Sequence, residues 1–347
     1  MTTWLHHPEP AAACTVIAEI AQAHDGSLGT AHAMIDAAAV AGADAVKFQT
    51  HIATAESSPD EPWRVRFSPQ DETRFDYWRR MEFSEAEWAG LRDHAHEKGL
   101  LFLSSPFSME AFYLLKRIQV AGWKVASGEI TNVQMLDAMC ATGKPLLLST
   151  GMSALEEIDR AVDRIKATGV PFAVLQCSST YPTAAADVGL NVLGDFKRRY
   201  ATAVGLSDHT ATVYPGICAA YLGAQVIEVH LTLSKHAFGP DVAASLTVEE
   251  LTRLVEGVRF AEDMRRDGVD KTAVLDEAGE LRPIFMKSLV AARDLAAGET
   301  LSPTTLACRK PGTGIAATRF DEFVGRRLAR PLKKHAPLAP EDVEQES

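Results

Sequence analysis

Eight times within roughly the first 280 residues, a short apolar run stops at a polar cluster and gives way to an amphipathic helix. The runs are Cys14 to Ile20, Ala45 to Gln49, Leu101 to Ser104, Trp123 to Ala126, Pro145 to Ser149, Phe172 to Gln176, Val204 to Leu206 and Val226 to Val229. The last two, Val204 to Leu206 and Val226 to Val229, are short and rich in β-branched residues, the pattern of parallel strands covered on both faces. Helical patterns fill the gaps, among them Thr30 to Ala41, Glu85 to Lys98 with Gly99 as its cap, Leu155 to Ala167, Val213 to Leu222 and Val248 to about Arg265. Eight strand–helix units are the count of an α/β fold of the (β/α)8 barrel type. An open doubly wound sheet would gather its polar residues at one switch point, whereas here nearly every strand ends in them. The segment from His51 to about Phe83 is too long for an ordinary loop and reads as a functional excursion. Residues 1–280 form the expected barrel domain, and 283–347 read as a compact, turn-rich small domain.

In a barrel the strand ends converge on one face, so their residues are candidates for a site. The first strand offers Glu19, with His24 soon after; the second offers Lys47 and Gln49, and the third ends in Ser104 and Ser105. Lys124 and then Ser127-Gly128-Glu129 follow from the fourth, Ser149 and Thr150 from the fifth, and Gln176, Ser179 and Tyr181 from the sixth. Ser207 and His209 end the seventh, His230 ends the eighth, and Asp241 follows. Two neutral imidazoles at the same end of adjacent strands can hold one divalent ion and leave positions open for substrate. Alone, His209 would read as a turn cap and His230 as a satisfied core histidine. Lys47 and Lys124 among small Ser and Gly residues suit a phosphate, through point charges, hydroxyls and backbone donors. A Schiff base between a strand lysine and a carbonyl substrate is the other reading. Glu19 and Glu129 are candidates for acid–base work, or simply partners of the lysines.

Composition narrows the classes. A net charge of -11 argues against nucleic-acid binding, so an anionic substrate must be met by locally placed cations. No run is long enough for a transmembrane helix, and the first residues have neither the basic nor the apolar region of a signal peptide. The five scattered cysteines fit free thiols in a reducing cytoplasm.

The segments A-E-I-A-Q-A-H-D-G-S, A-G-A-D-A-V-K-F-Q-T, S-S-P-F-S, K-V-A-S-G-E-I-T-N, G-K-P-L-L-L-S-T-G-M, Y-P-T, G-L-S-D-H-T and G-P-D-V-A-A-S-L occur in this order. Together they resemble the sialic acid synthase (N-acetylneuraminate synthase) family, whose members include legionaminic and pseudaminic acid synthases. K-S-L-V-A-A-R-D-L-A-A-G-E-T-L followed by R-K-P-G-T-G-I resembles the small antifreeze-like (SAF) domain that ends such synthases. The chain differs from the family pattern at Ala21-Gln22-Ala23 before His24, at Gln176 and Ser179, and at Lys310, where relatives carry arginine.

The resemblance implies a TIM barrel with a SAF domain and a condensation of phosphoenolpyruvate with an open-chain N-acylated hexose such as N-acetylmannosamine. Water enters and phosphate leaves with C–O cleavage. A diacetamido-dideoxyhexose is the alternative acceptor, and a Schiff-base aldolase or a non-catalytic sugar sensor would belong to other classes. By the same resemblance His209 and His230 hold a divalent metal, manganese or magnesium. Lys47, Ser105, Lys124, Ser127, Ser149 and Ser207 would grip phosphoenolpyruvate. Glu19 and Glu129 match the catalytic glutamates; Gln49, Ser179, Tyr181, Asp241 and Lys310 fall to substrate binding. A cytoplasmic homodimer with exchanged SAF domains is implied as well.

Overall fold

Strands β1 (Thr15–Ala21), β2 (Ala45–Thr50), β3 (Leu101–Pro106), β4 (Trp123–Val125), β5 (Leu146–Ser149), β6 (Phe172–Cys177), β7 (Ala203–Asp208) and β8 (Val226–His230) pair in parallel, each with the next. β8 returns to β1, which closes the barrel and gives the (β/α)8 architecture that the repeating pattern predicts. The computed structural model describes residues 4–5, 13–266, 268–273 and 279–345.

Successive side chains on a strand alternate between faces, so every second residue enters the barrel. Ile17, Ala45, Leu103, Leu147, Ala173, Leu175, Ala203 and Val226 form an inner apolar layer, closed below by Trp4 and Leu5. One further step of two along the strands, the same face carries Glu19, Lys47, Ser105, Ser149, Cys177, Ser207 and Glu228, all buried. The interior is therefore apolar toward the strand N-termini and polar toward their C-termini, the end at which barrel enzymes work. Gly205 lies between these layers in β7, where a Cβ would collide with Leu175 and the Val226 carbonyl.

The outward strand residues, such as Val16, Ala18, Val46 and Phe48, meet helices whose apolar residues recur at helical spacing. Leu28–Val40 buries Ala31, Met34, Ile35 and Ala38, and Leu155–Lys166 buries Ile158, Ala161, Val162 and Ile165. Glu85–Glu97 begins with a Ser84–Glu87 capping box.

The long segment after β2 is more structured than its polar sequence suggests. It holds helices Ala53–Glu56 and Arg74–Met81 and a cluster of Ala53, Tyr77, Trp78 and Met81 packed with Trp63, Phe67 and Phe75. Arg80 pins it to the barrel, pairing with Asp71 within the segment at 2.7 Å and with Asp25, after β1, at 2.8 Å.

The chain divides into two compact units, Met1–Asp267 and Gly268–Ser347. In the second, β9 (Ser288–Ala291) and β10 (Leu306–Arg309) pair antiparallel over a core that includes Leu289, Leu301, Leu306, Phe323, Leu328 and Val343. Among the described residues no helix is long and apolar enough to cross a membrane.

Candidate active site

A cavity of about 490 Å³ opens at the C-terminal ends of the strands. Its walls bring together Glu19, Lys47, Gln49, Ser105, Lys124, Ser127, Glu129, Ser149, Ser179, Tyr181, Ser207, His209, His230 and Asp241. Eight strands spread across the sequence meet here because the barrel closes.

At the floor two carboxylates alternate with two ammonium groups. Lys47 Nζ lies 2.5 Å from Glu19 Oε2 and 3.8 Å from Glu228 Oε2, while Lys124 Nζ donates to Glu228 Oε1 at 2.5 Å. Ser207 also donates to Glu228 Oε1, at 3.0 Å. Burial pulls the Lys47 ammonium down, but Glu19 and Glu228 outweigh it and hold its pKa above the ordinary value. For Lys124 burial wins: Glu228 opposes it, Lys47 adds to it, and the pKa falls. Glu228 is opposed by burial yet held well down by Lys124 and Lys47. Charge-neutral in sum, the floor still has unused hydrogen-bonding capacity. The buried Oγ of Ser149 and Oε2 of Glu228 have no hydrogen-bond partner, a costly arrangement unless something else is bound there.

Higher in the cavity, His209 and His230 stand with ring centroids 5.2 Å apart. His209 Nδ1 faces the Ser178 carbonyl at 2.8 Å, which places its proton there and leaves the Nε2 lone pair toward the Tyr181 hydroxyl at 2.9 Å. Burial, then the neighbouring His230, lowers the His209 pKa to about 3, so the ring is neutral. His230 Nδ1 lies 3.9 Å from Asp241 Oδ2. A neutral imidazole with its second nitrogen tied to a carbonyl is how a metal-ligating histidine is usually oriented. Among the described residues no group of three or more His, Cys, Asp or Glu is poised for a metal. The donor set fits an open site, with two imidazoles from the protein and the other positions left to water or substrate.

The long segment supplies the outer wall through Trp63, Val65, Phe67, Tyr77 and Trp78. Arg64 reaches across the mouth, its Nη2 3.2 Å from Asp241 Oδ1 and its guanidinium 4.7 Å from the Tyr181 ring centre. Glu129 is half-buried and accepts from Asn132 Nδ2 at 2.7 Å instead of pairing with a lysine.

Several strand-end residues turn away from the cavity. Cys177 occupies the inward position of β6, so Gln176 points outward and donates to the Val188 carbonyl at 3.1 Å. Ser104 likewise points outward and donates to the Phe48 carbonyl, leaving Ser105 on the inner face. His24 is buried against Phe83 with ring centroids 4.8 Å apart. Asp208 holds the following turn through Thr210. Lys310 belongs to the second unit, its Nζ 4.9 Å from the centre of the Phe285 ring. Glu228 is the residue that sequence reasoning passed over. The signal was its place two residues before His230 on the same strand, since that spacing puts both side chains inside the barrel.

The model of the NeuB family matches residues 34–270, and that of the SAF domain matches residues 287–344. The chain is 34% identical to N,N'-diacetyllegionaminic acid synthase of Campylobacter jejuni over 92% of its own length and 97% of that protein's. It is 32% identical to pseudaminic acid synthase of the same species, covering 92% of this chain and 93% of the relative. Among solved structures, the N-acetylneuraminic acid (sialic acid) synthetase of Leptospira borgpetersenii in complex with citrate aligns with a TM-score of 0.68 at 31% identity, over 78% of this chain and 91% of that one.

Proposed function

We propose that this chain, which belongs to the NeuB family of sialic (nonulosonic) acid synthases, joins phosphoenolpyruvate to the aldehyde of an open-chain N-acylated hexose and releases phosphate. The observation that carries the reading is the vertical order of the cavity. Two lysines and unpaired hydroxyl capacity line the floor, and a neutral imidazole pair stands above them.

Lys47 and Lys124, with Ser105, Ser127, Ser149 and Ser207, hold the phosphate and carboxylate of phosphoenolpyruvate by charge-assisted hydrogen bonds. His209 and His230 would hold a divalent ion, manganese or magnesium, which when bound supplies Lewis acidity toward the aldehyde. Carbon 3 of the enol forms the new C–C bond as the aldehyde π pair moves onto its oxygen, which takes up a proton to become the product hydroxyl, and positive charge develops at carbon 2 beside the phosphate oxygen. The Glu19 carboxylate faces that charge and takes the proton of the water that attacks carbon 2. Phosphate then departs from the tetrahedral adduct, its bridging C–O bond broken. Gln49, Tyr181 and Asp241 orient the acceptor, with Ser179 and Glu129 at its edge. No lysine becomes covalent, so borohydride should trap nothing.

A diacetamido-dideoxyhexose is favoured over N-acetylmannosamine by the aromatic outer wall, since a sugar with fewer hydroxyls loses less on meeting Trp63, Phe67 and Tyr77. Phosphate release from phosphoenolpyruvate, measured against a panel of both acceptor types, tests the reaction and the choice together. Release with none of them would overturn the reading.

The SAF unit enters this proposal through Lys310, expected to meet the N-acyl group in a homodimer with exchanged SAF domains. An ammonium replaces the planar fork of arginine there and makes a looser contact. Lys310→Ala should raise the acceptor KM several-fold and leave that of phosphoenolpyruvate alone, while Arg309→Ala stays near neutral; the reverse pattern would transfer the role to Arg309. Light scattering should report a dimer, and a fully active monomer would remove the exchanged arrangement.

A further inference from the structure

A chain of hydrogen bonds runs from the long segment after β2 to the carboxylate at the cavity floor. His51 is buried and lies flat between Trp78 and Phe107, with ring centroids 4.0 and 4.5 Å away and planes within 18° and 12°. Its Nδ1 is 2.7 Å from Glu56 Oε1, and its Nε2 is 2.7 Å from Gln22 Nε2. Gln22 Nε2 also donates to Gln49 Oε1 at 2.5 Å, and Gln49 Nε2 donates to Glu19 Oε1 at 3.1 Å.

Each link fixes the direction of the next. An ionised carboxylate only accepts, so Glu56 requires the hydrogen on His51 Nδ1. With that hydrogen on Nδ1, Gln22 presents its NH2 group to Nε2, whose lone pair accepts it. The second hydrogen of that NH2 goes to Gln49 Oε1, which turns the Gln49 NH2 toward Glu19. The two aromatic rings keep the imidazole from rotating out of this plane. The Glu19 carboxylate, which only accepts, asks the same of Gln49 from the other end, so the chain is anchored in one sense at both ends; a reversed Gln49 would set its oxygen against Glu19 and its NH2 against the NH2 of Gln22.

We propose that His51 and Glu56 are positioning residues that fix the amide of Gln49, and through it Glu19, so that Gln49 meets the acceptor as a hydrogen-bond donor. The proposal rests on the roles given above to Glu19 and Gln49. It assigns the long segment a task beyond walling the cavity: its folding sets the polarity of a side chain on β2. The acceptor atom addressed by Gln49 is then an oxygen with a free lone pair, a hydroxyl or an acyl carbonyl.

The test separates orientation from packing. In wild-type protein labelled with ¹⁵N at histidine, the signal lost in His51→Phe should report the Nδ1–H tautomer. Finding Nε2–H overturns the proposal whatever reaction the protein catalyses. His51→Phe keeps a flat ring between Trp78 and Phe107 but has no lone pair. It should raise the acceptor KM and lower kcat roughly tenfold each, the size of effect common when an orienting partner is lost. The KM of phosphoenolpyruvate should stay within about twofold. Unchanged acceptor kinetics, or both KM values rising together, would show that His51 serves packing alone. Glu56→Gln is the gentler variant should the phenylalanine protein fail to fold. It lifts the demand for a proton on Nδ1, so a mixture of tautomers and a smaller rise in acceptor KM are expected, and a pure Nδ1–H signal with wild-type kinetics would count against Glu56. If the wild type turns over no hexose of the panel, the synthase reading fails, and the tautomer still decides this one.

Discussion

Glu228→Gln should leave the empty protein far less stable, and phosphoenolpyruvate should rescue it by more than it raises the melting temperature of the wild type. Glu228 is shared by Lys124 and Ser207 through one oxygen and approached by Lys47 on the other. Glutamine keeps the shape and still accepts from both donors, so what is lost is the charge. Removing one partner from a buried ion pair costs about 3–5 kcal/mol, because the remaining charge has no water to turn to. In a protein of this size that corresponds to a fall on the order of 5–10 °C. Burial already lowers the Lys124 pKa, with Lys47 pressing the same way, and removing the Glu228 charge that opposes them lowers it further, so release of the Lys124 proton is the expected result. Two effects then compete for the substrate. An anion meets one fewer negative charge, which favours binding, but Lys124 must regain a proton to hold it. The anion brings more than one negative charge, so the first effect wins for binding and proton uptake accompanies it. Calorimetry in two buffers of different ionisation enthalpy reads that uptake directly. Catalysis fares worse: with Lys124 and Ser207 less firmly held, kcat should fall roughly ten- to a hundredfold, the worth of one charge-assisted hydrogen bond. A variant that melts with the wild type and binds phosphoenolpyruvate without proton uptake would show that Glu228 does not hold the lysines charged.

The barrel was legible because its signal is repeated. Eight apolar runs with polar ends constrain one another, so errors of a residue at Cys14 or Ala126 do not change the count. The inner face was legible in part, by the two-residue period that links Ile17 to Glu19 and Ala45 to Lys47. The period needs the right starting phase, and in β6 the polar Gln176 suggested the wrong one. Its amide is satisfied on the helix side by Val188, and Cys177, apolar enough to pass for core, points inward. Glu228 was missed for a related reason: within V-I-E-V-H it looks like a lapse in an apolar strand until Lys124 is seen opposite. The segment from His51 to Phe83 was legible as an excursion but not as structure. Its order comes from contacts far apart in sequence, such as Arg80 with Asp25 and His51 with Phe107, which no local pattern announces.

Replacing His209 or His230 with alanine should stop turnover and leave phosphoenolpyruvate bound almost as well as before. On the proposed reading the two functions separate because the anion would be held at the floor by Lys47, Lys124 and the serines, of which only Ser207 lies on a strand leading to either histidine, below the imidazole pair. His209 is neutral, with its pKa lowered to about 3 by burial and then by His230, so no proton competes for its lone pair near neutral pH. The Ser178 carbonyl keeps the other nitrogen protonated, and the Tyr181 hydroxyl is the only group Nε2 must exchange for a ligand among its described contacts. An acceptor aldehyde left unpolarised loses several kcal/mol of stabilisation as charge develops on its oxygen. A loss of roughly a thousandfold or more in kcat follows, while the Kd of phosphoenolpyruvate should move by no more than about threefold, since its lysine and serine contacts are intact. Titration with manganese alone, followed by calorimetry, supplies a readout free of activity: the wild type should bind one ion per chain and either variant should lose that binding. Histidines that served only the core would give a different result, with lower melting temperatures, no change in ion binding, and turnover in chelator equal to that of the wild type.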